Sequence, residues 1–287
     1  MMYNPYTIKK IDYSKYKRFF AFGCSFTNYK WPTWADLMAK QMPNATYYNL
    51  GCSGAGHTFI MSMLNYATKY YNINSDTDLV AIMWSSFYRE DRIYLKNNKL
   101  IWSCPGNIYT QGELPILEVH DPIGLSLLAL STVETTTKIL SNSKFDSFSM
   151  WSTDPAAQLD WAWSTDYNIE KLKVISDNIV RFYDNLTGVV LPDMYVNCFN
   201  KIWPSQFPPE RIEGYDKELN DYHPTTLAYY NYLNSVGIPL SGDTEKFAVE
   251  SDALVHKNKT QYLLSNQFEF HEQQTSAERI LGIFNEH

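Results

Sequence analysis

Cysteine is scarce in this 287-residue chain: Cys24, Cys52, Cys104 and Cys198 stand far apart, and no Cys-x-x-Cys pair occurs. That spacing excludes a disulfide scaffold and a zinc ribbon, and makes a reducing compartment the simpler expectation. Long hydrophobic runs are missing too. The longest uninterrupted apolar stretch is Leu79 to Trp84, far short of the ~20 residues that a membrane span requires, so no membrane partner is expected. The opening Met1-Met2-Tyr3-Asn4-Pro5-Tyr6 has no charged stretch leading into an apolar one. Nothing in it points to secretion, and a cytoplasmic setting is expected. Positive charge is in deficit, with 24 Lys and Arg against 31 Asp and Glu for a net charge of −7, and no basic run occurs. A nucleic-acid partner is therefore not expected. No internal repeat and no low-complexity segment divides the chain.

What is present is apolar material, 45% of the residues, enough to bury a large core in one domain. Arg18 to Phe22 is a short aromatic run ending on Gly23, as a buried strand would. Pro32 opens a helical stretch with Trp34, Leu37 and Met38 on one face. Ala45 to Leu50 is read as a second strand, Ile60, Met63, Leu64 and Ala67 as a second helix, and Leu79 to Trp84 as a third strand. The third strand is apolar throughout, as a sheet covered on both faces requires. Alternating strands and helices predict a parallel α/β sheet. A hairpin is predicted around Lys96-Asn97-Asn98, a helix from Asp121-Pro122 to about Leu140, and an aperiodic aromatic loop over 142–167. Helices are predicted over 168–186 and from Pro224, with a short strand between them at Val189 to Leu191. The expected organisation is one α/β domain over 1–240 with an insertion at about 91–167. Residues 241–287 form a C-terminal extension that does not fold by itself.

Ligand sites in such sheets lie beyond the carboxyl ends of the strands. That rule brings Gly23 to Thr27, Gly51 to Gly56 and Ser85 to Glu90 to one rim. Ser25 on that rim has the setting of a nucleophile, and the glycine turn can aim backbone N–H groups at an oxyanion. His223, in Asn220-Asp221-Tyr222-His223-Pro224, lies directly before a helix with a carboxylate two residues earlier, a context no other histidine of the chain matches, and it suits the base.

Together these runs resemble the SGNH/GDSL hydrolase superfamily. Phe22-Gly23-Cys24-Ser25-Phe26-Thr27 is similar to its first block, Asn49-Leu50-Gly51-Cys52-Ser53-Gly54 to its second and Asp221-Tyr222-His223-Pro224 to its last. The resemblance covers roughly 18–90 and 220–237. It implies a flavodoxin-like three-layer α/β/α sandwich with a mostly parallel sheet, and a serine esterase that needs neither metal nor organic cofactor. Ser25 would be the nucleophile, His223 the base and Asp221 the acid, with the N–H groups of Ser25 and Gly54 at the oxyanion. The implied substrate is a small-molecule or carbohydrate ester.

Three positions depart from the family. Cys24 stands in place of its Asp, and Met83-Trp84-Ser85-Ser86-Phe87 lacks its Asn, so that Ser86, or Ser85, would have to donate. The family's acid position, three residues before the base, holds Asn220; Asp221 carries the charge and is the expected acid. A missing oxyanion donor costs typically ~2.7–4 kcal/mol of transition-state stabilisation. A catalytically weak binding or structural module is therefore the rival reading. Arg89 and Trp84 are candidate substrate contacts. Arg89 could equally form a surface ion pair with Glu90, and the tryptophans from Trp151 to Trp163 could stack on sugars or anchor the core. Cys24 and Cys52, each after a glycine on neighbouring strands, are expected as buried free thiols that could lie close together.

Overall fold

The computed structural model describes residues 11–96, 98–104, 106, 122–152, 190–191 and 223–257. Strands β1 (Arg18–Phe22), β2 (Thr46–Asn49) and β3 (Asp78–Trp84) are joined by helices α1 (Trp34–Lys40) and α2 (His57–Tyr70). A hairpin of β4 (Arg92–Lys96) and β5 (Lys99–Ser103) follows, then α3 (Pro122–Ser141), β6 (Asp146–Trp151) and β7 (Val190–Leu191). Helices α4 (Thr226–Ser235) and α5 (Gly242–Lys257) complete the described chain.

The five-stranded sheet runs β2-β1-β3-β6-β7, and every pairing in it is parallel. With the β4–β5 hairpin set aside, the order is that of a flavodoxin-like sheet, whose switch point lies between its first and third strands. Here those strands are β1 and β3. Right-handed crossovers then put α1 and α2 on opposite faces. The helices sort accordingly: α3 packs on α2, whereas α4 packs on α1 and on α5. The result is the expected three-layer α/β/α arrangement. Every residue of β3 is buried, as is all of β1 after Arg18. At the amino-terminal rim, Arg18 makes a bidentate pair with Asp78 at 2.7 and 2.6 Å, its neighbour across β1 and β3. Chemistry-bearing side chains lie at the other rim.

Strand β6 corrects the sequence reading, which placed 142–167 in a loop. It occupies the sheet between β3 and β7, with Val80 beside Ser147 and Ile82 beside Ser149. All six of its residues are buried, so the usual polar-out alternation is absent, and its two serines disguise it as loop. The hydroxyls of Ser147 and Ser149 have no hydrogen-bond partner.

Two helix starts also differ from expectation. Thr33 caps α1 in a reciprocal box with Asp36, and Thr225 caps α4. Pro32 and Pro224 therefore precede the caps instead of opening the helices. A threonine oxygen satisfies an orphan N–H of the first turn, which proline, lacking a polar side chain, cannot do. The hairpin turns as predicted, with Asn98 at φ 59°. Past residue 240 the chain continues in α5, which buries Ala248 and Val255 and is tied to α1 through the Gln41 hydrogen bonds to Ser241 and Thr244. The helix predicted over 168–186 lies outside the described residues, as do Trp161 and Trp163. Among the described residues no helix is long and apolar enough to cross a membrane.

Candidate active site

Beyond β1 the chain folds into one tight turn, in which the N–H groups of Thr27 and Asn28 both donate to the Cys24 carbonyl at 2.9 and 3.1 Å. Ser25 stands within that turn, 5% exposed, and Cys24 points fully inward. Gly23 leaves no room for a side chain, since a Cβ there would lie 2.0 Å from Thr27 Oγ1 and 2.9 Å from the Met83 carbonyl. The Thr27 carbonyl accepts from Thr33 Oγ1 at 2.7 Å and from Asn49 Nδ2 at 2.8 Å. Asn28 Nδ2 donates to Gly51 O at 3.1 Å, and the Cys52 N–H to Gly23 O at 3.0 Å. The serine turn and the glycine turn are thus knitted into one piece, as the rim rule predicts.

His223 reaches this piece from 198 residues away, with its Nε2 2.8 Å from Ser25 Oγ. Two hydrogen bonds bring the segments together: Trp31 Nε1 donates to Pro224 O at 2.8 Å, and Thr226 Oγ1 to Pro32 O at 2.9 Å. Trp31 in turn packs against Val255 of α5. The imidazole is held face-on by Tyr29, with ring centres 3.7 Å apart and planes 15° apart, and is flanked by Phe26 at 5.1 Å. Asp221 and Asn220 lie outside the described residues.

The Tyr29 stack carries a prediction. Aromatic pairs contribute about 0.5–1.5 kcal/mol beyond burial. Tyr29→Ala is expected to lower kcat about three- to tenfold with little change in KM, while Tyr29→Phe keeps the ring and the rate. Steady-state hydrolysis kinetics check this; equal losses in both variants would contradict it.

The glycine turn is shaped by partners distant in sequence. Gly54 has φ +78°, and a Cβ there would lie 2.0 Å from the Cys104 carbonyl oxygen. Gly56 caps α2 without a side chain, so the Asp91 carboxylate does that work, accepting from the N–H groups of Gly56 and Phe59 at 2.8 Å each. Burial raises the Asp91 pKa, opposed by those N–H donors, by the Arg89 charge and by Cys104. Arg89 Nη1 donates to Ala55 O at 3.0 Å, bracing the same turn, while Glu90 pairs with Arg92 at 2.5 Å. Arg89 is therefore not the surface partner of Glu90. Sequence reasoning missed Asp91, whose loop position carries no local signal of capping a helix that starts 34 residues earlier.

After β3, Ser86 Oγ accepts from the Tyr88 N–H at 3.3 Å, which leaves its own proton available. The buried hydroxyl of Ser85 has no partner. Trp84 is fully buried, stacked on His57 at 5.6 Å and packed against Trp151. It belongs to the core beneath the rim, which corrects its assignment as a substrate contact. Trp151, the last residue of β6, is likewise core. Cys24 is fully buried and Cys52 half-buried, and Cys52, burial and Asp91 together raise the Cys104 pKa.

His57, 4% exposed, has an unpartnered Nε2. Desolvation first, and then the Arg89 charge, lower its pKa from 6.5 to about 3. The unfolded chain binds this proton below pH ~6.5, whereas the folded chain binds it only near pH 3. This group therefore costs nothing above that window and weakens the fold as pH falls through it, by about 1.4 kcal/mol per unit. From pH 7 to pH 5, urea unfolding is expected to show about 2 kcal/mol of loss from this source. His57→Phe should lose that much less; identical pH slopes for the two proteins would refute the assignment.

No family model matches the chain, and no curated protein matches it. Among solved structures it is similar to a GDSL-like lipase from Bacteroides thetaiotaomicron at 12% identity, covering 85% of this chain and 88% of that one, with a TM-score of 0.34. It is also similar to an α/β hydrolase enzyme from the metagenome of Lake Arreo, Spain, at 13% identity, covering 78% and 97%, with a TM-score of 0.37.

Proposed function

We propose that the chain is a serine hydrolase of the SGNH/GDSL kind that cleaves esters of small acyl groups on a carbohydrate or similar polar alcohol. The observation that carries this reading is the 2.8 Å contact between Ser25 Oγ and His223 Nε2, at the switch point where such sheets place their sites. In the proposed reaction His223 Nε2 takes the proton as Ser25 Oγ attacks the carbonyl carbon. The oxyanion is held by the N–H groups of Ser25 and Gly54 and by a hydroxyl of the Ser85–Ser86 pair. His223 returns its proton to the leaving alcohol, and water then repeats the sequence on the acyl-enzyme. Asp221 is assigned to the other ring nitrogen, which it would hold in one tautomer.

The rival reading, a binding module that keeps the pair without turnover, is favoured by Cys24 and by the serines where the family has Asp and Asn. Initial rates on short-chain aryl esters and acetylated sugars separate the two. The hydrolase reading expects turnover well above the buffer rate, falling as the acyl chain lengthens. No turnover on any member of the panel by a folded protein supports the module.

A further inference from the structure

One cation at the rim is only partly used. Arg89 lies in the segment between β3 and β4, against the glycine turn. A Cβ on Gly56 would stand 2.9 Å from the Arg89 Cβ, and Arg89 Nη1 donates to Ala55 O at 3.0 Å. The residue is half-buried, with an Nε that is closed off from water and has no hydrogen-bond partner. Its acidic neighbours are engaged elsewhere, Glu90 with Arg92 and Asp91 with the N–H groups of Gly56 and Phe59. Among the described residues Arg89 makes no direct ion pair, and Ala55 O is its one acceptor.

The opposite rim of the same sheet holds the complete form of this arrangement. Arg18 Nη1 donates to the Tyr71 carbonyl at 2.7 Å, while its Nε and Nη2 hold the two oxygens of Asp78 at 2.7 and 2.6 Å. Nε and Nη2 form one edge of the planar guanidinium, spaced to meet both oxygens of a carboxylate. Arg89 repeats the anchoring bond from Nη1 to a backbone carbonyl, but its Nε–Nη2 edge meets no carboxylate among the described residues. A guanidinium stays charged at every ordinary pH, and a secluded donor without an acceptor costs free energy. The edge therefore suits an acceptor that arrives from outside the chain.

We infer that Arg89 binds a carboxylate on the substrate, so that the preferred esters are acidic ones. The inference rests on the hydrolase reading and narrows its substrate class. Arg89 is tied to Ala55, the residue after Gly54, whose N–H is assigned to the oxyanion. A carboxylate on Arg89 would thus hold the ester against that turn. Arg89 is a specificity residue: it touches the substrate but moves neither the proton nor the acyl group. A site built to hydrogen-bond a substrate group discriminates against the analogue that lacks it. For a hydrogen-bonded charge the difference is about 10- to 100-fold in kcat/KM.

The test measures kcat/KM of the full chain on two matched pairs of esters by titrating the acid released. Monomethyl succinate and methyl butyrate differ by a carboxylate in place of a methyl on the acyl side. β-Acetoxybutyrate and sec-butyl acetate differ in the same way on the alcohol side. After correction for the buffer rates, the wild-type protein is expected to favour the acidic member of one pair by about 10- to 100-fold. The pair that shows it tells which side carries the carboxylate. Arg89→Met, which keeps the stem without the charge, should abolish the preference. Arg89→Lys should keep part of it, because the charge remains and the fork is lost. The neutral esters are the internal control, since a shift of the braced turn lowers both members of a pair alike. No preference in either pair overturns the inference, and so does a preference that survives Arg89→Met. A wild-type protein that hydrolyses none of the four esters refutes the hydrolase reading itself, and the inference with it.

Discussion

Ser25→Ala is expected to remove ester turnover almost entirely, lowering kcat by about 10³-fold or more. The alanine keeps the backbone N–H and the turn, but the attacking oxygen that lies 2.8 Å from His223 Nε2 is gone. No other described hydroxyl is placed against that nitrogen. Stability should change little, because the turn is held by backbone bonds to the Cys24 carbonyl and not by the Ser25 hydroxyl. Initial rates on a short-chain aryl ester, with unfolding midpoints for both proteins, check this. A variant that keeps more than about a tenth of the wild-type rate would mean that the nucleophile lies elsewhere.

The second large effect is expected at Gly54. Its φ of +78° is left-handed, and a Cβ would stand 2.0 Å from the backbone oxygen of Cys104, which no side-chain rotation can relieve. A non-glycine residue in such a conformation costs of order 1–3 kcal/mol before any clash is counted. The turn must move, and with it the N–H assigned to the oxyanion. Gly54→Ala is therefore expected to lower kcat by about 10²–10³-fold, the loss typical of one oxyanion donor. It should also lower unfolding free energy by ~2 kcal/mol or more. Kinetics and denaturant unfolding on the same sample read both. A normal kcat in a destabilised variant would remove Gly54 from the reaction and leave it a purely structural glycine.

Much of this arrangement was legible in the sequence, because local signals report on local structure. The aromatic run Arg18–Phe22 ending on a glycine, and the wholly apolar run at Leu79–Trp84, each mark a strand without help from the rest of the chain. The rim rule then joins Ser25 to the glycine turn by topology alone. His223 stood out because of Asp221, and among the described residues Tyr29, Trp31 and Thr226 hold its segment at the rim. Those contacts join segments more than 190 residues apart, and no local pattern encodes them. Strand β6 was hidden for a different reason: a central strand is recognised by apolar residues, and Ser147 and Ser149 are buried serines. The surroundings of the cysteines could not be read either. Cys24 and Cys52 follow glycines beyond adjacent strands, but Cys24 turns into the core, whereas the turn after Cys52 meets the Cys104 backbone at Gly54, an approach that is a tertiary fact.

The contact between Ser25 and His223 is tested most directly by treating the folded protein with a fluorophosphonate and mapping the adduct by peptide mass spectrometry. The account predicts a single phosphonylated residue, Ser25, with labelling slowed by about 10²-fold or more in His223→Ala, since an unactivated serine is a poor nucleophile. An unlabelled wild-type protein, or an adduct on any residue other than Ser25, would contradict it.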